Sequence, residues 1–426
     1  MTVRRAALIA ALVAALAYLP ALGNRFALDD GAIVERNPVA HSIARAAGAF
    51  AHPYWPPEHG AGLWRPLVIL SFAADWQLSR GHPAWLHAAN VLQHAAVSGL
   101  VVAVIAPYVS VAGALAGGIL FAVHPLHVEA VANLVGRAEL LVAALLMLAV
   151  LSARAVRRRV ADGRRPAALE AALVVLVLLA LLSKEHAVIA IALLWLDDHA
   201  RPDAPGRLPL RDYVMVGVLT VCWLGARRVV EAGLSFEAVA PTFFHLGTVG
   251  RISTMLPAVF VLLRLFVWPF DLSPDYHPLV IERLDQPTLL GAFGLVVLVA
   301  IIALALLLWH RHRALSLGLL MIGLAWLPTS NLFFPAGIVL AERTLYLPSV
   351  GLALLVASGA DAILARAGRR AALLLAVAAV PLVARTMTRI PDWRSTRDLV
   401  VTALIPPPES YKVHQSAARV YLKLGL

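Results

Sequence analysis

Residues 6–23 read AALIAALVAALAYLPALG and are followed at once by NRFALDD, residues 24–30. The apolar run has about the length of roughly 20 residues that a helix needs to cross a bilayer, and two arginines precede it. This pattern predicts a membrane-spanning helix whose far end carries adjacent carboxylates, Asp29 and Asp30. A cleaved signal peptide would share the basic start. We interpret the run as a retained anchor because further apolar runs follow and the acid pair needs a tether.

The composition is that of an integral membrane protein. Of the 426 residues, 61% are hydrophobic and 14% are charged, and the mean hydropathy is +0.80, more apolar surface than a soluble domain can bury. The formal charge of +11 is spread over short loops beside apolar runs, which the positive-inside rule explains better than nucleic-acid binding does. The single cysteine, Cys222, excludes an intrachain disulfide and a cysteine-based zinc site.

Hydropathy predicts an all-α integral membrane protein, a bundle of about eleven (10–12) membrane helices with a long first extracytoplasmic loop. The run at 186–196 is too short to span alone, and prolines interrupt 231–287. If 154–165 is inside, the basic loops 310–313 and 366–370 are also inside only when one earlier run does not cross. We therefore expect the C-terminus on the side of the acid pair. The candidate runs are 6–23, 86–107, 109–124, 138–153, 167–183, 186–196, 213–230, 252–270, 288–308, 314–333, 344–364 and 371–386.

The first extracytoplasmic loop, residues 24–85, is long and rich in aromatic residues. Its segment RPLVILSFAADWQL, 65–78, suits an amphipathic helix in the membrane interface, with the tryptophans of the loop at headgroup level. An aromatic belt alone would explain those tryptophans. The loop also carries Asp29, Asp30 and Arg65, which is more polar chemistry than anchoring requires.

Three further polar clusters interrupt apolar sequence at predicted membrane boundaries. Ionisable groups there are costly unless they are paired or face a cavity, so each is a candidate site residue, and a structural ion pair is the alternative. On one helix, Glu129 and Asn133 would share a face, as would Asn133 and Arg137. The clusters are FAVHPLHVEAVANLVGRAELL (121–141) with His124, His127, Glu129, Arg137 and Glu139, LLSKEHA (181–187) with Lys184 and Glu185, and FFPAGIVLAERTLYLPSVG (333–351) with Glu342, Arg343 and Tyr346.

Between about residues 24 and 425, seven motifs resemble, in order, those of the transmembrane and tetratricopeptide-repeat protein O-mannosyltransferases and their bacterial relatives. This resemblance implies a multi-span glycosyltransferase of the GT-C superfamily. It also implies sugar transfer from a polyprenyl or dolichyl phosphate to an acceptor outside the cytoplasm, mannose onto Ser or Thr in eukaryotic members. The motifs are FALDDGAIVERNP, WRPLVILSF, HAANVLQHA, LFAVHPLHVEAVANLVGRAELL, LLSKEHAV, PFDLSPDYHP and VLAERTLYLPSVGL.

We expect a GT-C-like transmembrane domain at 1–390 and an extracytoplasmic segment at 391–426. The stretch YKVHQSAARVYLKLGL, 411–426, is similar to the first helix of a tetratricopeptide repeat. One such helix is not a binding array, because solenoids need about three or more units to bury a continuous core. Either the repeats were lost or the chain is a fragment of a longer protein.

The resemblance points to Asp29 as the general base of an inverting displacement, then to Asp30, with Glu129 orienting the acceptor or the sugar. The leaving lipid phosphate needs positive charge, and arginine suits bidentate phosphate contact. The sequence does not rank Lys184 against Arg343. The candidate phosphate ligands are Arg65, Arg137, Lys184 and Arg343, and the other pocket candidates are His124, His127, Glu139, Glu185, Glu342 and Tyr346.

Two alternatives stay open. The acid pair with His124, His127 and Glu129 could bind a divalent metal, but HPLHVE has no established ligand spacing, so we expect none. A lipid or sugar transporter or flippase would also carry intramembrane charges, but the acidic residues cluster at one surface and no inverted repeat is visible.

The expected partners are the bilayer, a polyprenyl-phosphate sugar donor, and a protein or glycan acceptor, with no nucleic acid. No P-loop or dinucleotide signature is present, so we expect no cofactor beyond the lipid-linked donor. The high content of Ala, Arg and Leu suggests a bacterial source, and hence a cytoplasmic membrane protein whose active site faces outward. GALAGG, 113–118, predicts close helix packing.

Overall fold

A computed structural model describes residues 1–59, 62–201, 204–232, 240–276, 280–404, 414, 417–418 and 421–422. The described part is all-α, with no strand. The repeat-like helix predicted at 411–426 lies almost entirely outside these residues. The helices are α1 Val3–Ala17, α2 Ile43–Ala46, α3 Pro66–Ser79, α4 Pro83–Ile105, α5 Val111–Val123, α6 Val128–Ala132, α7 Arg137–Ala161, α8 Ala167–Leu181, α9 Ala190–His199, α10 Leu210–Val230, α11 Thr248–Val267, α12 Leu289–Leu308, α13 Arg313–Trp326, α14 Ser349–Arg389 and α15 Thr396–Ala403.

Local signals explain where several helices begin. The side chains of Thr2, Ser110 and Thr288 accept hydrogen bonds from backbone N–H groups in the first turns of α1, α5 and α12, which satisfies donors that have no partner within a helix. Proline opens α3 and α4, where its missing N–H costs nothing. Helix α14 bends at Gly368, whose positive φ of 53° favours glycine.

The predicted small-residue packing is present between α5 and its neighbours. A Cβ atom on Gly117 would lie 2.3 Å from the carbonyl oxygen of Ala353 in α14, and one on Gly118 would lie 2.3 Å from Val102 in α4. Only glycine permits such close approach of two backbones, as in other membrane bundles. The GALAGG stretch is therefore structural.

Among the described residues, eight helices are long and apolar enough to cross a membrane, or up to nine if the bent pair at 111–132 counts as one span. Two shorter apolar helices, α8 and α13, add to these. The protein is therefore an all-α, multi-span membrane protein. The count of eleven crossings stays a prediction. The eight are Val3–Gly23, Pro83–Ile105, Leu134–Ala161, Leu210–Val230, Thr248–Val267, Leu289–Leu308, Ser349–Gly368 and Leu373–Trp393.

The bundle has two distinct ends. We call the end with the acid pair the outer end and the end with the basic loops the inner end. At the inner end Arg154 contacts Asp197 at 2.5 Å, and the backbone N–H of Ser110 donates to Asp361 at 2.7 Å. The first turn of α13 lies beside this region. The basic segments 154–165, 310–313 and 366–370 thus share one end, as the positive-inside rule requires.

Helix α11 has both of its ends at the outer end of the bundle. Near its start, Arg251 donates to the carbonyl oxygen of Phe333 at 3.3 Å, and near its end the carbonyl oxygen of Phe266 lies 3.3 Å from His124 Nε2. Phe333 follows α13 and His124 follows α5, and both of these helices end at the outer end. Length and composition place α11 among the possible spans, but its contacts favour a helix that does not cross.

The first outer loop packs against the protein more than the sequence indicated. Trp64 is buried and stacks on Trp223 of α10 with ring centroids 6.4 Å apart. Trp76 stacks on His41 at 3.8 Å. The prediction of headgroup tryptophans is therefore wrong for Trp64, because an aromatic partner far along the chain buries it, whereas Trp85 is 64% exposed.

The same loop is attached to the chain at the start of α15. The backbone N–H of Arg25 donates to the carbonyl oxygen of Arg394 at 2.8 Å, and that of Leu28 donates to Thr396 Oγ1 at 2.9 Å. Trp393 beside them is fully buried. The chain just before the acid pair is therefore held by residues more than 360 positions later.

Candidate active site

Asp30 fastens the acid pair to the connection that precedes α7. Its side chain is fully buried. Oδ2 accepts hydrogen bonds from the N–H groups of Ala27 at 3.1 Å and Leu134 at 3.3 Å, and Oδ1 accepts one from Val135 at 2.9 Å. Burial raises the pKa of the Asp30 carboxyl to about 7, although these three bonds favour the ionised form. These contacts indicate that Asp30 holds the backbone around the site in place.

Asp29, in contrast, is half-buried, and its carboxylate makes no hydrogen bond or ion pair with any described residue. Its carbonyl oxygen accepts from the N–H groups of Ala32 and Ile33 at 3.1 and 2.9 Å, which fixes the backbone of the turn. Its charge acts on Tyr54 and Arg343, in both cases raising the pKa. The structure thus presents one unpaired carboxylate next to a cation.

That cation, Arg343, is held by Glu129. The backbone N–H of Arg343 donates to Glu129 Oε2 at 2.8 Å, and its Nη1 pairs with Glu129 Oε1. Burial opposes the charge of Arg343, but Glu129 and then Asp29 raise the pKa of its guanidinium. Glu129 is buried, whereas the side chain of Arg343 stays 22% exposed. Glu129 therefore aims a guanidinium that keeps donors free.

Two more ion pairs lie beside it. Arg65 makes two bonds to Glu185, Nε to Oε1 at 3.2 Å and Nη2 to Oε2 at 2.9 Å, with its guanidinium 5.3 Å from the ring of Tyr54. Lys184 pairs with Glu139. Burial works against the charge of Lys184 and lowers the pKa of its ammonium. Burial likewise opposes the charge of Glu185, but Arg65 lowers the pKa of that carboxyl below its usual range.

These groups form one electrostatic unit, which we call the outer cluster. The charge of Glu139 raises the pKa of both Arg65 and Arg343, so the pairs act on one another. Each cation already has one glutamate partner, as the structural ion-pair alternative predicted. Among the carboxylates of this group, that of Asp29 alone has no ion-pair partner among the described residues. Side-chain exposure ranks Arg343 at 22%, Arg65 at 14% and Lys184 at 6%. The outer cluster comprises Asp29, Tyr54, Arg65, Glu129, Glu139, Lys184, Glu185 and Arg343.

Arg137 does not take part in the ion pairs of the outer cluster. The helix breaks at Asn133, whose φ and ψ of −87° and 124° are extended, so the continuous face predicted from Glu129 through Asn133 to Arg137 is wrong. The break is held by Asn90, whose Nδ2 lies 3.3–3.4 Å from three carbonyl oxygens there. Arg137 is fully buried, 2.5 Å from Asp75 and 2.8 Å from Asn90 Oδ1. Its donors are engaged, and we leave it out of the proposed phosphate site.

His124, His127 and Tyr346 belong to the packed core. The hydroxyl of Tyr346 lies 2.8 Å from His94 Nδ1. His127 Nδ1 donates to the carbonyl oxygen of Phe121 at 2.8 Å. All of these side chains are buried. The sequence analysis did not single out His94, although the HAANVLQHA motif contains it.

Glu342 fixes the turn that carries Arg343. Its Oε1 accepts from the N–H of Ser273 at 2.6 Å and from the hydroxyl of Tyr276 at 2.8 Å. Burial raises the pKa of the Glu342 carboxyl to about 7. Tyr276 was not among the predicted site residues, but the PFDLSPDYHP motif was the signal that could have found it.

Within the described ranges, no group of three or more His, Cys, Asp or Glu side chains is arranged to hold a metal ion. The histidines that sequence grouped with the acid pair contact core carbonyls, as described above.

Several known proteins are similar to this chain over almost its whole length. A protein O-mannosyl-transferase of Caenorhabditis elegans is 28% identical over 96% of this chain and 59% of its own length. Protein O-mannosyl-transferase TMTC4 of Homo sapiens is 28% identical over 97% of the chain and 63% of its own. TMTC3 of Mus musculus is 26% identical over 97% and 48%. The chain thus spans less than two thirds of these relatives.

No family model matches the chain, and no solved structure matches it. The similarity to the first two of these relatives nevertheless extends over 96% and 97% of this chain. Over nearly its whole length, this chain is therefore similar to proteins named protein O-mannosyl-transferase.

Proposed function

We propose that this protein is a membrane glycosyltransferase that moves a sugar, mannose in the first instance, from a polyprenyl-phosphate carrier to an acceptor hydroxyl outside the cytoplasm. One observation carries the proposal: Asp29 is an unpaired, half-buried carboxylate at the outer end, beside the partly exposed cation Arg343. A base next to a phosphate-binding cation is what transfer from a lipid phosphate requires. The relatives are named protein O-mannosyl-transferase, which supports the same reaction class, glycosyl transfer.

In the proposed step, Asp29 takes the proton of the acceptor hydroxyl while its oxygen attacks the anomeric carbon. The bond between that carbon and the phosphate oxygen breaks on the opposite face, and the lipid phosphate leaves with the electron pair. A single displacement inverts the anomeric centre and needs only one base. Phosphate needs no proton to leave, but it needs positive charge.

Arg343 is the first candidate to supply that charge. Its exposure is the largest of the three cations, and Glu129 engages only one of its terminal nitrogens. Arginine offers further donors in a planar fork suited to phosphate oxygens. Arg65 and Lys184 follow in that order because their side chains are more buried. Glu129 is then a positioning residue for Arg343.

The acid pair divides its roles. Asp30 is occupied by three backbone N–H groups, so we propose that it holds the turn from which Asp29 projects. The acceptor side chain, Ser or Thr of a protein, follows from the relatives' names, and a glycan hydroxyl would meet the same chemistry. We place the site on the extracytoplasmic face of a bacterial cytoplasmic membrane on the strength of charge distribution and composition.

The test is transfer of radiolabelled mannose from polyprenyl-phosphate-mannose to peptide and membrane acceptors by purified protein in liposomes. Asp29→Asn should lower the rate about 10²–10⁴-fold, the usual contribution of a general base. Glu35→Gln is the matched control, because this exposed carboxylate is on the same loop. Full activity of Asp29→Asn would remove Asp29 from the mechanism.

Addition of EDTA separates the metal-dependent alternative. Transfer that continues in EDTA agrees with a metal-independent reaction, and transfer that stops and returns with added Mn²⁺ contradicts it. Movement of the lipid-linked sugar across the liposome membrane without any transfer would support the transporter alternative instead.

A further inference from the structure

The inner end of the bundle contains a second polar pocket, remote from the outer cluster. It lies between the connection from α4 to α5, the chain after α9 and the first turn of α13, and its volume is about 350 Å³. Tyr108, Arg201 and Arg313 supply its polar lining. Nothing in the proposed transfer reaction uses these residues.

The carboxylates near this pocket are already saturated. Asp197 accepts from Arg154 at 2.5 Å, from Arg157 at 2.5 Å and from the hydroxyl of Tyr108 at 2.7 Å. Asp198 pairs with Arg157. Arg201 reaches Asp197 only with Nη2, at 3.3 Å. Arg154, Arg157 and Arg201 share these two aspartates, and Arg313 lines the same pocket, so a local excess of positive charge remains.

The two arginines of the pocket have unused donors. Arg201 Nε is buried without a hydrogen-bond partner among the described residues, and such a buried donor is costly unless something occupies it. Arg313 is half-buried and makes no ion pair within the described part of the chain. Arg313 and Ala314 belong to the first turn of the 14-residue helix α13, where free N–H groups and the helix dipole favour an anion.

The position of the pocket favours an anion that is part of the membrane. It opens where α4 ends and α13 begins, at the level of the inner helix ends. The apolar cavity beyond Tyr108 has a volume of only about 40 Å³, so the acyl chains of a bound lipid would stay in the bilayer. At the level of the helix ends, the headgroup phosphate of such a lipid could reach the two arginines while its chains remain among the other lipids. Basic pockets between helices on the cytoplasmic side bind anionic headgroups in other membrane proteins.

We propose that this inner pocket binds the phosphate of an anionic phospholipid of the cytoplasmic leaflet through Arg201 and Arg313. The shared chemistry is a phosphate anion, and the lipid is the source that the surroundings favour. The inference does not depend on the reaction at the outer cluster, since it concerns the opposite end of the bundle.

The experiment measures lipid binding to the full chain in detergent by native mass spectrometry and by thermal stabilisation, with phosphatidylglycerol, phosphatidylcholine or inorganic phosphate as the probe. Phosphatidylglycerol should bind and stabilise where phosphatidylcholine does not. Arg313→Gln should weaken its binding about tenfold, the effect of losing one charge-assisted bond. Arg311→Gln is the matched control, because Arg311 is exposed in the same basic loop and does not line the pocket.

Arg313 makes no described ion pair, so Arg313→Gln should keep the melting temperature of the parent in phosphatidylcholine. Arg313→Gln therefore tests lipid binding at the pocket even if Arg201→Gln fails to fold. Equal affinity of the parent and Arg313→Gln for phosphatidylglycerol would overturn the site. Equal stabilisation by inorganic phosphate and phosphatidylglycerol would overturn the lipid as its ligand.

Discussion

Replacement of Asp30 by alanine should destabilise the protein far more than the same change at Asp29. The Asp30 carboxylate is fully buried and accepts three backbone hydrogen bonds at 2.9–3.3 Å, whereas that of Asp29 accepts none from described side chains or backbone. A buried donor left without a partner costs about 1–3 kcal/mol, so three give about 3–9 kcal/mol. Water that enters the space left by the side chain would satisfy some of them, and we expect about 3 kcal/mol.

Thermal unfolding of the purified variants, followed by tryptophan fluorescence in one detergent, measures this difference. Asp30→Ala should melt several degrees below the parent, and Asp29→Ala should stay within about 0.5 kcal/mol of it, as substitutions without lost contacts do. The melting temperature of Asp30→Asn should lie between these two, because the amide keeps one acceptor oxygen. Its NH₂ group, however, would face a backbone N–H group that is also a donor.

The reasoning fails if Asp30→Ala and Asp29→Ala melt at the same temperature. If Asp30→Ala is as stable as the parent and yet has lost mannose transfer, Asp30 acts in the chemistry and its structural role is refuted. Mannose transfer by each variant below its melting temperature distinguishes these outcomes.

Three further predictions concern stability. Because the pKa of the Asp30 carboxyl is raised, this group contributes stability that is fully present below about pH 4 and is lost as pH rises through about 7. The melting temperature of the parent should therefore fall between pH 5 and 8 more than that of Asp30→Asn. Glu139→Gln leaves Lys184 without its partner and should cost about 3–5 kcal/mol, and Lys184→Met should recover part of this in a double-mutant cycle measured by thermal unfolding. Gly117→Ala places a methyl 2.3 Å from a carbonyl oxygen of α14 and should cost about 1–3 kcal/mol, whereas the control Gly323→Ala, with open space around its helical position, should be neutral or stabilising by up to about 1 kcal/mol in the same assay.

The sequence indicated the outer cluster well because hydropathy alone limits where charge can lie. Apolar runs on both sides of LLSKEHA left Lys184 and Glu185 only the end of a span, and the same argument placed Glu129 and Arg343. Pairing across the bundle then follows from the cost of an isolated charge. The structure contains ion pairs of the kind that the alternative described, although the sequence did not identify the partners. Catalysis by Asp29 stays a prediction.

The division of labour within the acid pair could not be predicted. Which carboxylate turns inward depends on the N–H groups of Leu134 and Val135, more than 100 residues away. The break at Asn133 has the same origin, since Asn90 of α4 binds the carbonyl oxygens there. Neither feature leaves a local pattern, because both are set by contacts between distant segments.

The hydrogen bonds between the first outer loop and residues 390–396 can form only late in the synthesis of the chain. The loop leaves the ribosome early, but Asn24, Arg25 and Leu28 bond to residues made some 366 positions later. At about 5–20 residues per second, roughly 20–70 s of translation separate the two. During that interval the loop that carries Asp29 has been made, but the segment to which it bonds does not yet exist. These bonds therefore cannot form until nearly the whole described bundle has been synthesised.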